Sequence, residues 1–310
     1  MTTVIKSNKA YTGNKTLPNI IDFATTTAER KSYLTDTYAK VSNDTSYITD
    51  ANADSLFTKL TTHRNRVLAD GGIVPSLAQT LRAIIFASTH GLTGTRFTAL
   101  SADFGVKMDG SVVNKVYDLS GRDLEPLSGA FTKSTVGSLT NVSASVLSSL
   151  IHKGEKFAFT SGMILGSSSN DILSDATSRI RTPMIIPNSA GTGTAVAYIE
   201  NNNGNLAKLS YMVANGTPVF LTTPQSEGNY NKYAGLVGLS IANGSSYLYE
   251  NGVQKSQSAS ASKDLSETDT YLSAQISSAG SMLNESWVIN SASQSLAVAL
   301  SNHLNKAEFV

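Results

Sequence analysis

The stretch "YAGLVGLSIANGSSYLYENGVQKSQS", residues 233–258, decides the fold class. Val237, Leu239 and Ile241 alternate with small residues, the period-two signature of a half-buried strand. After a polar break, "SYLYE" and "VQKSQ" flank Asn251-Gly252. Both central residues of a two-residue type I′ turn need positive φ, which Asn-Gly provides. The stretch therefore reads as one strand followed by a tight hairpin. The turn predicts Glu250 opposite Val253, Tyr249 opposite Gln254, Leu248 opposite Lys255 and Tyr247 opposite Ser256. Glu250 and Lys255 then become diagonal neighbours within reach of a weak cross-strand ion pair. Burying such charges costs several kcal/mol unless they are well paired. That face is expected to meet water, with Tyr247 and Tyr249 turned toward an opposite sheet.

Outward from the hairpin, the same grammar covers residues 93–310. "RFTALSADFGV", "VVNKVYDLS", "KFAFTSGMILG", "TPMIIP", "TAVAYIE", "AKLSYMVA", "PVFLTT", "TYLSAQIS" and "ESWVIN" also read as strands between Gly, Asn and Ser clusters. So many strands without intervening helices imply an antiparallel sandwich or barrel rather than an alternating α/β sheet. A closing segment, "SQSLAVALSNHLNK", carries Leu296, Leu300 and Leu304 at helical spacing. It predicts a short helix at an edge or end of the sandwich.

Residues 1–92 read differently. The first twenty or so are polar and patternless, an arm. A threonine-rich helix is expected from Asp22, and a second in which Leu56, Leu60, Val67 and Leu68 share a face before Gly71-Gly72. A third places Pro75 near its first turn, repeats Leu77, Leu81, Ile84 and Ile85, and ends at Gly91.

Composition narrows the function classes. The chain has 310 residues, 15% of them charged, a net charge of +1 and no cysteine. Scattered basic residues give no electrostatic footprint for nucleic acid, so none is expected as partner; Arg64 and Arg66, and Arg179 and Arg181, read as solvated surface. Without cysteine there is no disulfide framework and no thiolate site. No apolar run approaches the roughly 20 residues that span a bilayer, and the N-terminus has no signal-peptide pattern.

Four stretches resemble the concanavalin A-like (laminin G-like) jelly roll as bacteriophage structural and tail proteins carry it. They are "ALSADFGVKMDGSVVNKVYDLSGRDLEPL" at 99–127, "YAGLVGLSIANGSSYLYENGVQ" at 233–254, "DTYLSAQIS" at 269–277 and "NESWVINSASQSLAVALSNHLN" at 284–305. "HRNRVLADGG" at 63–72 is also similar to phage virion proteins. The resemblance covers about two thirds of the chain and implies a mainly β, antiparallel jelly-roll sandwich (93–310) behind an N-terminal arm and helical docking region (1–92). It implies a non-enzymatic virion component, in a tail, fibre, collar or decoration role, made in the bacterial host cytoplasm. Its partners would be other virion subunits met through residues 1–92, and copies of itself. A glycan-binding module for a host surface polysaccharide is the alternative.

Chemistry-bearing residues are sparse. Glucanases on this fold place acids as Glu-x-Asp-x-x-Glu; here Glu267 and Asp269 are followed by Leu272, so a solvated loop is expected and no catalytic residue is nominated. His63, His90, His152 and His303 lack metal-ligand spacing, and Asn170, Asp171 and Asp175 read as a surface turn rather than a calcium loop. "GTGTAV" at 191–196 opens no helix and reads as a turn, and Ser161 sits in no nucleophile elbow; no cofactor is implied. Trp287, beside Ile289 on one strand face, is expected in the core. The loop "EGNYNKY" supplies the glycan candidates: Tyr230 and Tyr233 as stacking rings, Asn229 and Asn231 as hydrogen-bonding amides.

Overall fold

A computed structural model describes residues 20–133, 138–142, 148–152, 159, 161–170, 179–186, 197–202, 206–212, 218–224, 232–260, 271–276 and 282–305. The expected arm lies outside this set apart from its last residue. A 3₁₀ turn at Ile20–Phe23 leads into α1 (Thr27–Tyr38). The Thr26 hydroxyl accepts from the Glu29 N–H at 3.3 Å, and the Glu29 carboxylate accepts from the Thr26 N–H at 2.9 Å. This reciprocal capping box starts the helix within the threonine run rather than at Asp22. Next come α2 (Asp50–Ala69) and α3 (Leu77–Thr89), the latter capped by Ser76, whose hydroxyl accepts from the Gln79 N–H at 3.2 Å. Leu34 of α1, Leu56 and Leu60 of α2 and Leu81, Ile84 and Ile85 of α3 form one core. Leu68 is not on that face: it is 44% exposed. Eight residues past Leu60, it sits roughly 80° around the helix.

The strands begin with β1 (Phe97–Leu100), β2 (Val106–Asp109), β3 (Val112–Val116) and β4 (Leu124–Ser128). Then come β5 (Phe131–Lys133), β6 (Leu139–Asn141), β7 (Ser148–His152) and β8 (Gly162–Asn170). β9 (Arg179–Ile186), β10 (Ala197–Asn202), β11 (Leu206–Met212) and β12 (Pro218–Pro224) form a meander. β13 (Lys232–Ile241) precedes the hairpin β14 (Ser246–Glu250) and β15 (Val253–Ser258). β16 (Tyr271–Ile276), β17 (Met282–Asn290) and α4 (Gln294–Asn305) close the chain.

These strands form two antiparallel sheets. One has eight strands, ordered β15-β14-β13-β8-β17-β6-β5 with β1 also on β17. The other has nine, ordered β12-β11-β10-β9-β16-β7-β4-β3-β2. The expected mainly β, antiparallel jelly-roll sandwich is the fold. Leu100, Val113, Leu124, Leu165, Ile199, Leu236 and Val288 lie in the core between the sheets. Two details differ from the sequence reading. "RFTALSADFGV" is not one strand: it holds β1 and only the first residue of β2, which lies in the other sheet, and residues 124–152 hold four described strands that alternation does not reveal. β5 and β6 are three residues long, too short for a period, and β4 contains Pro126.

A second core lies on the outer side of the eight-stranded sheet. Phe86 of α3 and Leu300 and Leu304 of α4 pack there on Val237, Leu239, Trp287 and Ile289. Gly166 makes this approach possible: a Cβ there would meet the Leu300 and Leu304 side chains at 2.7 and 2.9 Å. α4 thus lies across a sheet face, not at an edge or end. α3, wedged between this core and the helical one, is buried from Ala78 through Ala87, as befits a helix with apolar partners on opposite sides. The eight-stranded sheet is covered on both faces.

That second layer corrects the hairpin reading. The turn is as expected, with Asn251 at φ +52° and Gly252 at φ +76°. Glu250 faces Val253 and Tyr249 faces Gln254, but a bulge then sets Leu248 against Ser256 and Tyr247 against Gln257. Leu248 enters the core between the sheets, while Tyr249 and, partly, Tyr247 pack into the core on the helix-covered face. Both faces are apolar because the side assigned to water meets the second sheet, while α4 covers the tyrosine side that was expected to meet that sheet. The Glu250–Lys255 pair does form, at 3.7 Å, with both side chains partly exposed. Trp287 is fully buried, as expected.

Candidate functional site

Of the residues nominated for glycan contact, Tyr233 alone is among the described residues. Asn229, Tyr230 and Asn231 lie outside the described residues, between β12 of the nine-stranded sheet and β13 of the eight-stranded one. Tyr233 is the second residue of β13, its backbone paired with Ser169. Close by, β13 bends at Gly235, φ +74°. The Ser301 hydroxyl of α4 donates to the Gly235 carbonyl and accepts from the Gly252 N–H at 2.8 Å, while the Asn251 N–H donates to the same carbonyl at 3.3 Å. The hairpin turn, the start of β13 and the end of α4 are therefore one seam. Glu267, Asp269, Asp171, Asp175 and residues 191–196 are outside the described set.

Among the described residues, no helix packs on the outer face of the nine-stranded sheet as α4 does on the other sheet. Strand register aligns Phe220 with Ser210, Ser210 with Tyr198, Tyr198 with Met184, Met184 with Ser273, and Ser273 with Ile151. Along this row Tyr198 and the neighbouring Tyr271 pack on Ile151, which they help to bury completely. Phe220 is 50% exposed. Rings half-embedded in a rigid sheet present flat apolar surface at small entropic cost, suited to stacking. Toward β2 the face becomes charged: Asp70 accepts from Lys107 at 3.1 Å, Lys115 at 2.8 Å and the Tyr117 hydroxyl at 2.7 Å. These three partners hold the Asp70 carboxyl well below the usual carboxylate range. Tyr198 was not singled out in the sequence, although strand alternation could have set it opposite to Ala197 and Ile199. Alternation could not bring Tyr198, Tyr271 and Phe220 together, because β12, β10 and β16 meet only through register.

The buried ionisable groups serve the fold. Glu285 of β17 accepts from Arg82, from His303 at 2.9 Å and from the Trp287 indole at 2.6 Å. Arg82 also donates to Gln79 at 2.8 Å and to the His303 carbonyl at 2.9 Å. Burial works to raise the Glu285 carboxyl, but Arg82, His303 and the indole bond outweigh it and hold it at about 2. Burial and the Arg82 charge push His303 down to about 4, against the pull of Glu285. This network pins α3 and α4 to one strand.

Asp118, in the "YDLSG" turn, is a second such hub. Its carboxylate accepts from the Ala99 N–H at 3.2 Å, the Ser120 hydroxyl at 2.9 Å and the Arg122 N–H. Burial pushes its carboxyl up against these bonds. Arg66, expected as free surface, instead grips this turn: it donates to Asp123 at 2.6 Å and to the Asp118 carbonyl at 2.5 Å. Among the described residues no group of three or more His, Cys, Asp or Glu is placed to hold a metal, and no helix there is long and apolar enough to cross a membrane.

Comparison with families and with curated proteins finds no match. Solved structures do show likeness. The botulinum neurotoxin serotype D binding domain is 12% identical, with a TM-score of 0.45 over 67% of this chain and 50% of its own. The binding domain of botulinum neurotoxin DC, solved with rat synaptotagmin II, is 11% identical with a TM-score of 0.44 over 66% of this chain and 51% of its own. The globular domain of T. cruzi calreticulin is 10% identical with a TM-score of 0.38 over 55% of this chain and 82% of its own. The chain spans about half the length of the neurotoxin binding domains. At these scores the strand pairing described above carries the fold assignment.

Proposed function

We propose that the chain is a non-enzymatic structural protein of a bacteriophage virion, a tail, fibre, collar or decoration component. The observation that carries this reading is the layering: helices seal one sheet on its outer side, and among the described residues none lies over the outer face of the nine-stranded sheet in the same way. The buried carboxylates Glu285 and Asp118 are engaged in holding elements together, so the molecule meets partners by surface complementarity. The concanavalin A-like resemblance of residues 99–127, 233–254, 269–277 and 284–305 points the same way. Residues 1–92 would dock on neighbouring virion subunits or on further copies of the chain, the arm ordering as it binds. Mass spectrometry of purified particles tests this directly. A stoichiometric band that disappears when residues 2–20 are deleted is the expected result; absence of the chain from particles refutes the reading.

A second reading, recognition of a host surface polysaccharide, is favoured by the rings of Tyr198, Tyr271 and Phe220 on the outer face of the nine-stranded sheet. It is tested with the full chain on a glycan array. Saturable binding lost in Tyr198→Ala locates the site on the sheet. Loss in Tyr230→Ala or Tyr233→Ala locates it on the 225–233 connection, and a blank array removes the reading.

A further inference from the structure

α2, α3, the connection around residues 92–97 and the turn at 119–121 enclose a cleft of about 450 Å³. Its base is apolar, with Ile84, Leu92 and Phe97 nearly withdrawn from water. Thr62 and Lys59, on the exposed side of α2, stand at its rim. We propose that this cleft binds a small amphipathic carboxylic acid, with its apolar body on Ile84, Leu92 and Phe97, its anionic group at Lys59 and a hydroxyl at His63.

Size and lining suit such a molecule: small-ligand sites are concave, mostly apolar and carry a few placed polar groups. The two cations on this side of α2 differ in state. Arg66 is engaged by the Asp123 carboxylate and the Asp118 carbonyl. The Lys59 ammonium donates to the Ser88 hydroxyl at 2.8 Å and pairs with no carboxylate among the described residues. An anionic group at the rim would therefore meet an uncompensated positive charge, which strengthens its hydrogen bond.

His63 specifies the far end of the ligand. It is 6% exposed and lines the cleft. Its Nε2 lies 2.7 Å from the Phe104 carbonyl. A carbonyl only accepts, so Nε2 carries the proton and Nδ1 is a bare acceptor. Nδ1 has no hydrogen-bond partner among the described residues. Buried acceptors are almost always satisfied, and a ligand hydroxyl is the donor this one fits. Burial, foremost, holds the imidazole down at about 4, so it remains a neutral acceptor at neutral pH.

Titration calorimetry on the full chain tests the assignment with two probes, 3-(4-hydroxyphenyl)propionate and 3-phenylpropionate. Saturable one-to-one binding is expected for both, about fivefold tighter for the hydroxylated acid because of the added hydrogen bond. Lys59→Ala, an exposed substitution, should weaken both by about three- to tenfold. Thr62→Trp, also exposed, should block the mouth and abolish binding while the melting temperature holds. No saturable binding by either acid, or affinities unchanged in Lys59→Ala or Thr62→Trp, overturns the proposal. Equal affinity for the two acids overturns the role given to His63.

Discussion

Arg82 of α3 and Glu285 of β17 form an ion pair withdrawn from water, their side chains 5% and 1% exposed and their positions 203 residues apart. A pair so placed gains from mutual attraction and loses from desolvation, so its net worth is small while its disruption is costly. Either Glu285→Gln or Arg82→Met should destabilise the chain by about 3–5 kcal/mol, because the surviving partner stays buried. The double variant Arg82→Met with Glu285→Met should lose clearly less than the sum of its singles. Urea unfolding of the four proteins measures the coupling; strict additivity would refute it.

Acid should act first through histidines. His63 and His303 are held at about 4 in the fold, chiefly by burial, against about 6.5 when unfolded. The unfolded chain takes up those protons first, so stability present above pH 6.5 declines as pH falls toward 4. Glu285, held at about 2, contributes stability above pH 4.5 that disappears only as pH falls through 2. NMR of the imidazole resonances checks this: neither ring should protonate by pH 5. A midpoint near 6.5 for both would show that they are not sealed.

Asp103 works in the opposite sense. Burial, foremost, pushes its carboxyl up to about 6 from 3.8. Its contribution is full below pH 3.8 and is lost as pH rises through 6. Asp103→Asn should therefore stabilise the chain at pH 7 by about 1–3 kcal/mol and flatten stability between pH 4 and 6. Denaturant titrations at pH 4 and 7 compare the two proteins; a destabilised variant at pH 7 counts against the argument.

Two glycines with positive φ should respond unequally to alanine. Gly235 sits at φ +74°, and a Cβ there would lie 2.4 Å from the Ser301 carbonyl of α4. Gly110, at φ +58°, has nothing within 4 Å of such an atom. Gly110→Ala should cost about 1 kcal/mol from backbone strain alone, whereas Gly235→Ala should cost at least about 2 kcal/mol, since backbone must move. Thermal melts of both variants decide; equal shifts would mean that the α4 seam yields freely.

Much of the fold was legible where one physical rule acted alone. Asn251-Gly252 demanded its turn, Val237, Leu239 and Ile241 alternated, and Leu81, Ile84 and Ile85 marked the side of α3 that meets the other helices. The rules failed where two layers competed. Alternation shows that Tyr249 and Leu248 point apart, yet not which points to the second sheet and which to a helix that begins only at Gln294. β5 and β6 are too short to show a period. The candidate surfaces were least legible of all. Ile151, Tyr198 and Tyr271 converge through pairings between distant strands, and the unpartnered Nδ1 of His63 depends on where Phe104 brings its carbonyl.

The Arg82–Glu285 pair also sets a clock. At about 5–20 residues per second on the ribosome, the interval between synthesis of the two partners is on the order of 10–40 s. Throughout it α3 carries a buried-type arginine without its acid, and β1 waits for β17, its only partner among the described strands. β17 and α4 are thus made after every other described element and complete the sheet. A chain released early, before Glu285, presents Phe86 and Phe97 to its neighbours in place of Trp287, which makes premature termination a route to aggregation rather than to a smaller working protein.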